Sequence, residues 1–103
     1  MWGNHADRRS LAFHEAIAKK VSENPALVNE ALTNIRRWKS LPGGRHSWPL
    51  WEAWGDLLHG PLEVLLRAMV EESDRMQQLR SATPFAGILS DAERAEVIKK
   101  TRV

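Results

Sequence analysis

Proline and glycine break this chain at four places and limit each structural element to a few turns. The breaks are Asn24-Pro25, Leu41-Pro42-Gly43-Gly44, Gly60-Pro61 and Thr83-Pro84. Proline has no N–H to donate and clashes with the preceding helical turn, and glycine commonly ends a helix. We therefore expect short elements that begin or end at these positions.

The apolar residues between the breaks recur at helical spacing. Leu27, Ala31, Ile35 and Trp38 follow one another by three or four positions, which places them on one face of a helix. No segment alternates apolar and polar residues as a half-buried strand does. The sequence therefore predicts an all-α fold, a compact bundle of five or six short helices.

The expected helices cover about residues 7–22, 25–40, 47–58 and 61–70, with a short helix around Met76 and Leu79 and a last helix after Ser90. The predicted N-caps are Asp7, Asn24, Ser47 and Ser90, because short polar side chains accept hydrogen bonds from the first N–H groups of a helix. Ser90 and Glu93 also have the spacing of a capping box.

The chain has 103 residues, 43% hydrophobic and 27% charged, which is the composition of one soluble globular domain. We assign residues 1–103 to a single helical domain and expect the stretch from Met1 to about Asp7 to be free to flex. The absence of cysteine excludes disulfides and thiolate chemistry and suits a reducing cytoplasm. The sequence has neither a long apolar run nor a signal peptide, so we expect a cytoplasmic protein with no membrane contact.

Catalytic and metal-binding patterns are missing from the sequence. The four histidines, His5, His14, His46 and His59, lie in different segments without the spacing of a helical zinc site. We expect each of them on the surface. The stretch Pro42-Gly43-Gly44-Arg45 lacks the lysine and hydroxyl residue of a phosphate-binding loop. We therefore expect no enzymatic activity, no cofactor and no metal.

Three of the five tryptophans lie in the stretch SWPLWEAWGDLL, residues 47–58. Trp51 and Trp54 share a helix face with the leucines at its end, and we expect both in the core against Trp38. Trp48 lies outside this stripe, beside a glycine-rich loop, and is the candidate anchor for a protein partner. Stacking on bases is disfavoured, because no lysine or arginine lies between Trp48 and Trp54.

Positive charge is concentrated in the first half of the chain, where Arg36, Arg37, Lys39 and Arg45 form a basic cluster near the end of the second helix. Cations at a helix C-terminus oppose the helix dipole, and this alone accounts for them. They can also contact phosphate. The helix that follows is apolar and acidic, which makes it a poor reader of DNA bases.

An apolar stretch, Pro84-Phe85-Ala86-Gly87-Ile88-Leu89, precedes the last helix. Phe85, Ile88 and Leu89 must be covered by some surface, because exposed apolar patches of this size are uncommon. The stretch either fills the core beneath its own helices or docks on a partner. A core role is the simpler interpretation for a monomer.

Three stretches carry a resemblance to a family of known proteins. They are Asn34-Ile35-Arg36-Arg37-Trp38, then Trp51-x-x-Trp54-x-x-Leu57-Leu58-x-Gly60-Pro61-Leu62-Glu63, and then Thr83-Pro84-Phe85-Ala86-Gly87-Ile88-Leu89 before a helix rich in Glu and Arg. Over about residues 20–98 the chain resembles small bacterial all-helical domains with a C-terminal (S/T)PFAG(V/I)L motif. Such domains often follow helix-turn-helix modules, and their genes often lie beside toxin genes such as those of PIN-domain ribonucleases.

The resemblance implies an antitoxin-like protein whose cognate partner is a toxin, such as a nuclease or a nucleotidyltransferase. The chain departs from the family in its N-terminal part. Only about twenty residues precede the similar region, whereas a separate helix-turn-helix module needs about three helices. We therefore expect toxin binding without an additional DNA-binding module.

The sequence thus predicts a non-enzymatic protein-binding module that neutralises a toxin by covering its active site. Trp48 and Phe85 are the predicted anchors, and Arg36, Arg37 and Arg45 are predicted rim charges that suit an acidic, metal-binding ribonuclease site. The alternative is a nucleic-acid-associated transcriptional regulator that uses the basic cluster between Arg36 and Arg45. A homo-oligomer with a structural role is a further alternative.

Overall fold

Six α-helices and one 3₁₀ turn account for most of residues 2–102, the part of the chain that the computed structural model describes. The elements are α1 (His5–Glu23), α2 (Leu27–Ser40), the 3₁₀ turn (Arg45–Ser47), α3 (Trp48–His59), α4 (Leu62–Met69), α5 (Asp74–Arg80) and α6 (Asp91–Lys100). No strand occurs among these residues. The predicted all-α bundle of five or six short helices is confirmed.

The proline and glycine breaks coincide with the ends of helices. Gly60 and Pro61 separate α3 from α4, and residues 41–44 separate α2 from the 3₁₀ turn. Gly44 has a φ of 72°, and a Cβ atom at this position would lie 3.2 Å from the Trp51 ring. A left-handed backbone and a close aromatic neighbour together require glycine here.

The first helix begins earlier than the sequence predicted. Asn4 is its N-cap: the Asn4 side chain accepts a hydrogen bond from the Asp7 N–H at 2.9 Å, and the Asp7 carboxylate accepts one from the Asn4 N–H at 3.4 Å. Asp7 therefore lies inside the first turn. The stretch expected to be free to flex includes Met1, which lies outside the described residues, and Trp2, whose ring centroid is 5.5 Å from the Arg80 guanidinium carbon.

Of the other predicted N-caps, one was wrong, one is correct in position only, and one is confirmed. Asn24 closes α1, donating its N–H to the Lys20 carbonyl at 2.9 Å, and α2 begins only at Leu27. Ser47 makes no capping hydrogen bond, because the 3₁₀ turn runs directly into α3. The capping box of Ser90 and Glu93 at the start of α6 is present.

The hydrophobic core lies around α1, which packs against α4, α5 and α6, while α3 packs against α2, α4 and α5. Trp54 is fully buried at the centre. Its Nε1 donates a hydrogen bond to the Leu79 carbonyl at 2.7 Å, and its ring meets Phe85 edge-on at 5.8 Å. The prediction that Trp54 belongs to the core is confirmed.

The apolar stretch 84–89 fills the core from one side. Its side chains at Pro84, Phe85, Ile88 and Leu89 are all buried, and Asn34 Nδ2 holds the stretch by donating to the Pro84 carbonyl at 2.9 Å. The core interpretation of this stretch is therefore confirmed. The prediction that Phe85 anchors a partner was wrong, because its side chain is only 1% exposed and is occupied by its contact with the Trp54 ring.

Candidate functional site

A partly exposed cluster of aromatic and basic side chains lies where α2 ends and α3 begins. We call it the tryptophan face and define it by Trp38, Lys39, Leu41, Arg45, Trp48 and Trp51. Trp48 is half-buried, and two cations flank its ring: Lys39 Nζ and the Arg45 guanidinium carbon each lie 5.4 Å from the ring centroid. Cations over an indole ring are attracted by its negative face. The 3₁₀ turn places Arg45 there, because it folds residues 45–47 back against the first turn of α3.

A groove of about 480 Å³ adjoins Trp48 on the same face. Its lining includes Trp38, Leu41, Pro42, Gly44, Ser47, Trp51, Ala82 and Thr83. The Trp38 and Trp51 rings form its aromatic wall, with their centroids 5.6 Å apart and their planes inclined by 41°. The Leu41 side chain is 55% exposed, more than the two other well-exposed large hydrophobic residues, Val64 and Ile98. The groove is therefore a concave, mainly apolar surface, and no charged side chain is among the described residues that line it.

Trp51 was predicted to lie in the core, and the structure corrects this in part. Trp51 contacts Trp38 as expected, but both rings are only half-buried and both line the groove. The reason is the loop at residues 41–44, which passes beside the two rings and leaves one side of them uncovered. A helical stripe of tryptophans therefore continues here from the core into the surface.

The predicted basic residues do not form one cluster. Arg45 belongs to the tryptophan face. Arg36 lines a neighbouring groove that meets the tryptophan face at Lys39 and Trp51 and also contains the acidic Glu52 and Asp56. Arg37 is tied to Asn34 Oδ1, to which its Nη2 donates at 3.0 Å. Adjacent residues of a helix point in directions about 100° apart, so α2 separates the two arginines that the sequence places side by side.

One polar atom of the tryptophan face is left without a partner. Trp48 Nε1 is buried and makes no hydrogen bond, although an indole N–H usually finds an acceptor when it is buried. Lys39, above the same ring, reaches Glu52 Oε1 at 3.9 Å, a long ion pair with a largely exposed carboxylate. Trp48 Nε1 is therefore an unsatisfied donor beneath the surface of the tryptophan face.

His14 is buried, contrary to the prediction that all four histidines lie on the surface. It shares a face of α1 with Ile17 and stacks on the Trp54 ring at 6.2 Å, so it belongs to the core side of the helix. Its Nδ1 lies 2.8 Å from the Ser10 carbonyl. Because a carbonyl only accepts, Nδ1 carries the proton and Nε2 is a free acceptor. Nε2 has no partner.

Burial lowers the pKa of His14 to about 4 from its ordinary value of 6.5. The hydrogen bond to Ser10 opposes this shift, and the positive charge of Arg80 adds to it. The imidazole is therefore neutral at pH 7. The other three histidines, His5, His46 and His59, are exposed as predicted.

Arg80 is a buried cation that no sequence pattern had singled out. Its Nη1 donates to the Met69 carbonyl at 3.1 Å and to the Glu71 carbonyl at 2.9 Å, and its Nε donates to Gln77 Oε1 at 3.2 Å. Arg80 thereby satisfies the last carbonyl of α4 and one carbonyl of the segment that follows it. Burial lowers the pKa of its guanidinium, while Asp7 and Glu71 oppose this. Its Nη2 remains without a partner.

Within residues 2–102 no group of three or more histidine and acidic side chains is placed to hold a metal ion. No helix in this part of the chain combines the length and apolar character needed to cross a membrane. The fold places the chain in the class of all-α bundle proteins. Comparison with protein-family models, with curated proteins and with solved structures found no match.

Proposed function

We propose that this chain is a non-enzymatic protein-binding module of the cytoplasm, and that it neutralises a cognate toxin by covering the toxin's active site. The observation that carries the proposal is the tryptophan face. It combines a half-buried tryptophan that Lys39 and Arg45 flank with an exposed leucine and an apolar groove. Protein interfaces are typically built from aromatic and arginine anchors with a polar rim.

The occlusion mechanism follows from the chemistry of this face. The groove beside Leu41 and Trp51 takes an apolar side chain of the partner, and Trp48 supplies the adjoining aromatic surface. Arg45 then lies at the edge, where its charge attracts acidic groups such as the metal-binding carboxylates of a nuclease. Phe85 has no part in this interface, since it is occupied in the core. The resemblance to antitoxin-like helical domains supports a toxin as the partner.

The alternative proposal is a nucleic-acid-associated regulator that binds with the same face. Lys39 and Arg45 beside the Trp48 ring would suit a single strand, since such strands bind to basic grooves with stacking aromatics. Two observations weaken this alternative. Arg36 shares a groove with the acidic Glu52 and Asp56, and the three predicted arginines do not form a continuous basic track.

A pull-down from native cells tests the proposal. The tagged protein is treated with nuclease, washed at high salt, and analysed by mass spectrometry. Contacts with phosphate weaken steeply with salt because they release counterions, whereas an apolar interface resists the wash. We expect one protein to remain in stoichiometric amount and its toxicity to be suppressed by co-expression of this chain. Recovery of nucleic acid alone, and only after gentle washing, would favour the alternative.

Paired variants then locate the interface. Leu41→Ser and Val64→Ser each remove a well-exposed apolar side chain, 55% and 48% exposed, but only Leu41 lies in the tryptophan face. Arg45→Glu is matched by Arg67→Glu on α4, where Arg67 is also exposed. We expect each variant in the tryptophan face to weaken partner binding about tenfold or more, as interface hot spots do, and the α4 variants to bind normally. If the α4 variants lost as much partner binding as the variants in the tryptophan face, this surface would be ruled out as the interface.

A further inference from the structure

A cavity between α1, α5 and the loop at residues 83–89 contains two buried polar side chains with unused hydrogen-bonding capacity. Its volume is about 290 Å³, several times the volume of about 30 Å³ that one water occupies in the liquid. His14 and Arg80 both line it, and their exposed fractions are only 3% and 2%. Each keeps one nitrogen without a partner, Nε2 in His14 and Nη2 in Arg80.

Arg80 gives the cavity a positive charge that has no direct ion-pair partner in the described part of the chain. Within residues 2–102, no carboxylate lies within ion-pair distance of its guanidinium. Its hydrogen bonds go to uncharged acceptors, namely two main-chain carbonyls and the Gln77 amide oxygen. Asp7 and Glu71 favour the charged guanidinium only from beyond ion-pair distance. A buried charge without a directly paired carboxylate is costly, and a guanidinium binds carboxylates especially well. The cavity therefore suits an anion.

Arg94 adds a second positive charge to the lining of the cavity. Its guanidinium carbon lies 4.9 Å from the centroid of the Phe13 ring, and both side chains line the cavity. Arg94 is exposed, so it borders the opening, whereas Arg80 lies at depth. The two arginines are placed to attract an anion and then to hold it.

His14 and the apolar walls narrow the choice of anion. Because His14 Nδ1 donates to Ser10, the free Nε2 presents a lone pair and needs a hydrogen-bond donor from the ligand. The remaining wall is mainly apolar and includes Phe85 and Leu89. A complementary ligand thus carries a negative charge, a hydroxyl group and a short apolar chain. The volume lies just below the range of about 300–1,000 Å³ that is usual for ligand pockets, so the ligand is small.

We propose that this cavity binds a small aliphatic hydroxycarboxylate. The carboxylate accepts a hydrogen bond from Arg80 Nη2, the hydroxyl donates to His14 Nε2, and the aliphatic chain contacts Phe13 and Phe85. The site is separate from the tryptophan face and does not depend on the proposed toxin partner.

Titration of the protein with 2-hydroxyisocaproate tests the proposal, with isocaproate as the matched acid without the hydroxyl group and inorganic phosphate as the simple anion. Binding is measured by calorimetry and by ¹H–¹⁵N NMR. We expect saturable binding of both acids with shifts near His14 and Phe85. The hydroxy acid should bind about fivefold more tightly, as one further hydrogen bond provides, and phosphate should cause no such shifts. Absence of saturable binding, or equal affinity for all three compounds, overturns the proposal.

Two variants assign the roles of the polar groups. His14→Phe keeps an aromatic ring and removes the acceptor, so it should abolish the fivefold preference while leaving isocaproate binding intact. Arg80→Met should weaken both acids about tenfold or more, the loss expected for a charged hydrogen bond. The exposed Arg67→Met is its control, and far-UV circular dichroism verifies folding. If Arg80→Met does not fold, the ratio of the affinities of His14→Phe for the two acids still tests the proposal. An unchanged preference for the hydroxy acid in that variant contradicts it.

Discussion

Single residues of this bundle connect elements that are distant in sequence. Trp54 joins α3 to α5 through its hydrogen bond to Leu79 and meets His14 from α1 and Phe85 from the apolar stretch. Its Nε1 is satisfied, which is the usual condition for burying an indole. His14, by contrast, is buried with a free acceptor, and the cost of charging it makes the stability of the fold depend on pH.

Stability should fall as the pH is lowered from about 7.5 to 5 because of His14. Its pKa of about 4 in the folded state is below its ordinary 6.5, so the unfolded chain binds a proton that the folded chain excludes. The free energy of unfolding is highest above about pH 6.5 and falls as the pH is lowered towards 4. At pH 5 it should be about 2 kcal/mol lower than at pH 7.5. Urea unfolding at several pH values measures this change.

The control for this measurement is His14→Phe. In this variant the free energy of unfolding should change little between pH 7.5 and 5, because the other histidines are exposed. If the free energy of unfolding of the variant changed with pH as much as that of the unmodified protein, His14 would not be the cause of the pH dependence.

At the scale of elements, polar side chains determine where α6 begins and how it attaches. Ser90 accepts a hydrogen bond from the Glu93 N–H at 3.1 Å, and Glu93 Oε1 accepts one from the Ser90 N–H at 2.7 Å. Lys20 of α1 pairs with the same carboxylate at 2.6 Å and donates to the Ile88 carbonyl at 2.8 Å. The hydrogen bond from Lys20, followed by that from Ser90, lowers the pKa of Glu93 to about 2.

Ser90→Ala should reduce the free energy of unfolding by about 1 kcal/mol, the usual cost of removing an N-cap side chain. The loss arises because the Glu93 N–H then has no acceptor within the protein. Ser81→Ala on an exposed turn is the control and should change stability by less than about 0.5 kcal/mol. Chemical denaturation of the unmodified protein and the two variants measures their free energies of unfolding. If Ser90→Ala left this free energy unchanged, the cap at the start of α6 would not contribute to stability.

At the scale of the whole molecule, the six helices share one core. The radius of gyration is 13.4 Å, close to the value of about 13 Å for a compact domain of 100 residues. The first helix contacts α4, α5 and α6, so the N-terminal helix cannot separate without exposing residues contributed by the C-terminal half. Such an arrangement favours a single cooperative transition.

Urea unfolding should therefore give the same midpoint by tryptophan fluorescence and by far-UV circular dichroism. Fluorescence is sensitive to the surroundings of the buried Trp54, whereas dichroism reports helix content in all six helices. Coincident curves indicate two-state unfolding. A fluorescence change that precedes the loss of helix would instead indicate that packing around the tryptophans is lost before the helices unfold.

Local features of the sequence determined the helices. Three such features predicted helix ends, a helix face and a cap: Gly60-Pro61, the stripe from Leu27 to Trp38, and the spacing of Ser90 and Glu93. They were sufficient because turns, helix faces and capping boxes depend on neighbours a few residues apart. The apolar stretch 84–89 was correctly assigned to the core for a similar reason: its side chains must be covered. Asn4 was missed as a cap, since Asp7 is an equally good capping residue by sequence alone.

Only the tertiary structure decided which side chains meet across the bundle. It buried Phe85 against Trp54, left Trp51 half-exposed, and separated Arg36 from Arg37 on α2. The spacing of His14 and Ile17 is compatible with a buried histidine, but nothing local indicates that Arg80 turns inward to the carbonyls of Met69 and Glu71. Burial and charge pairing depend on contacts between segments that lie far apart in the chain, and these contacts exist only once the helices have packed.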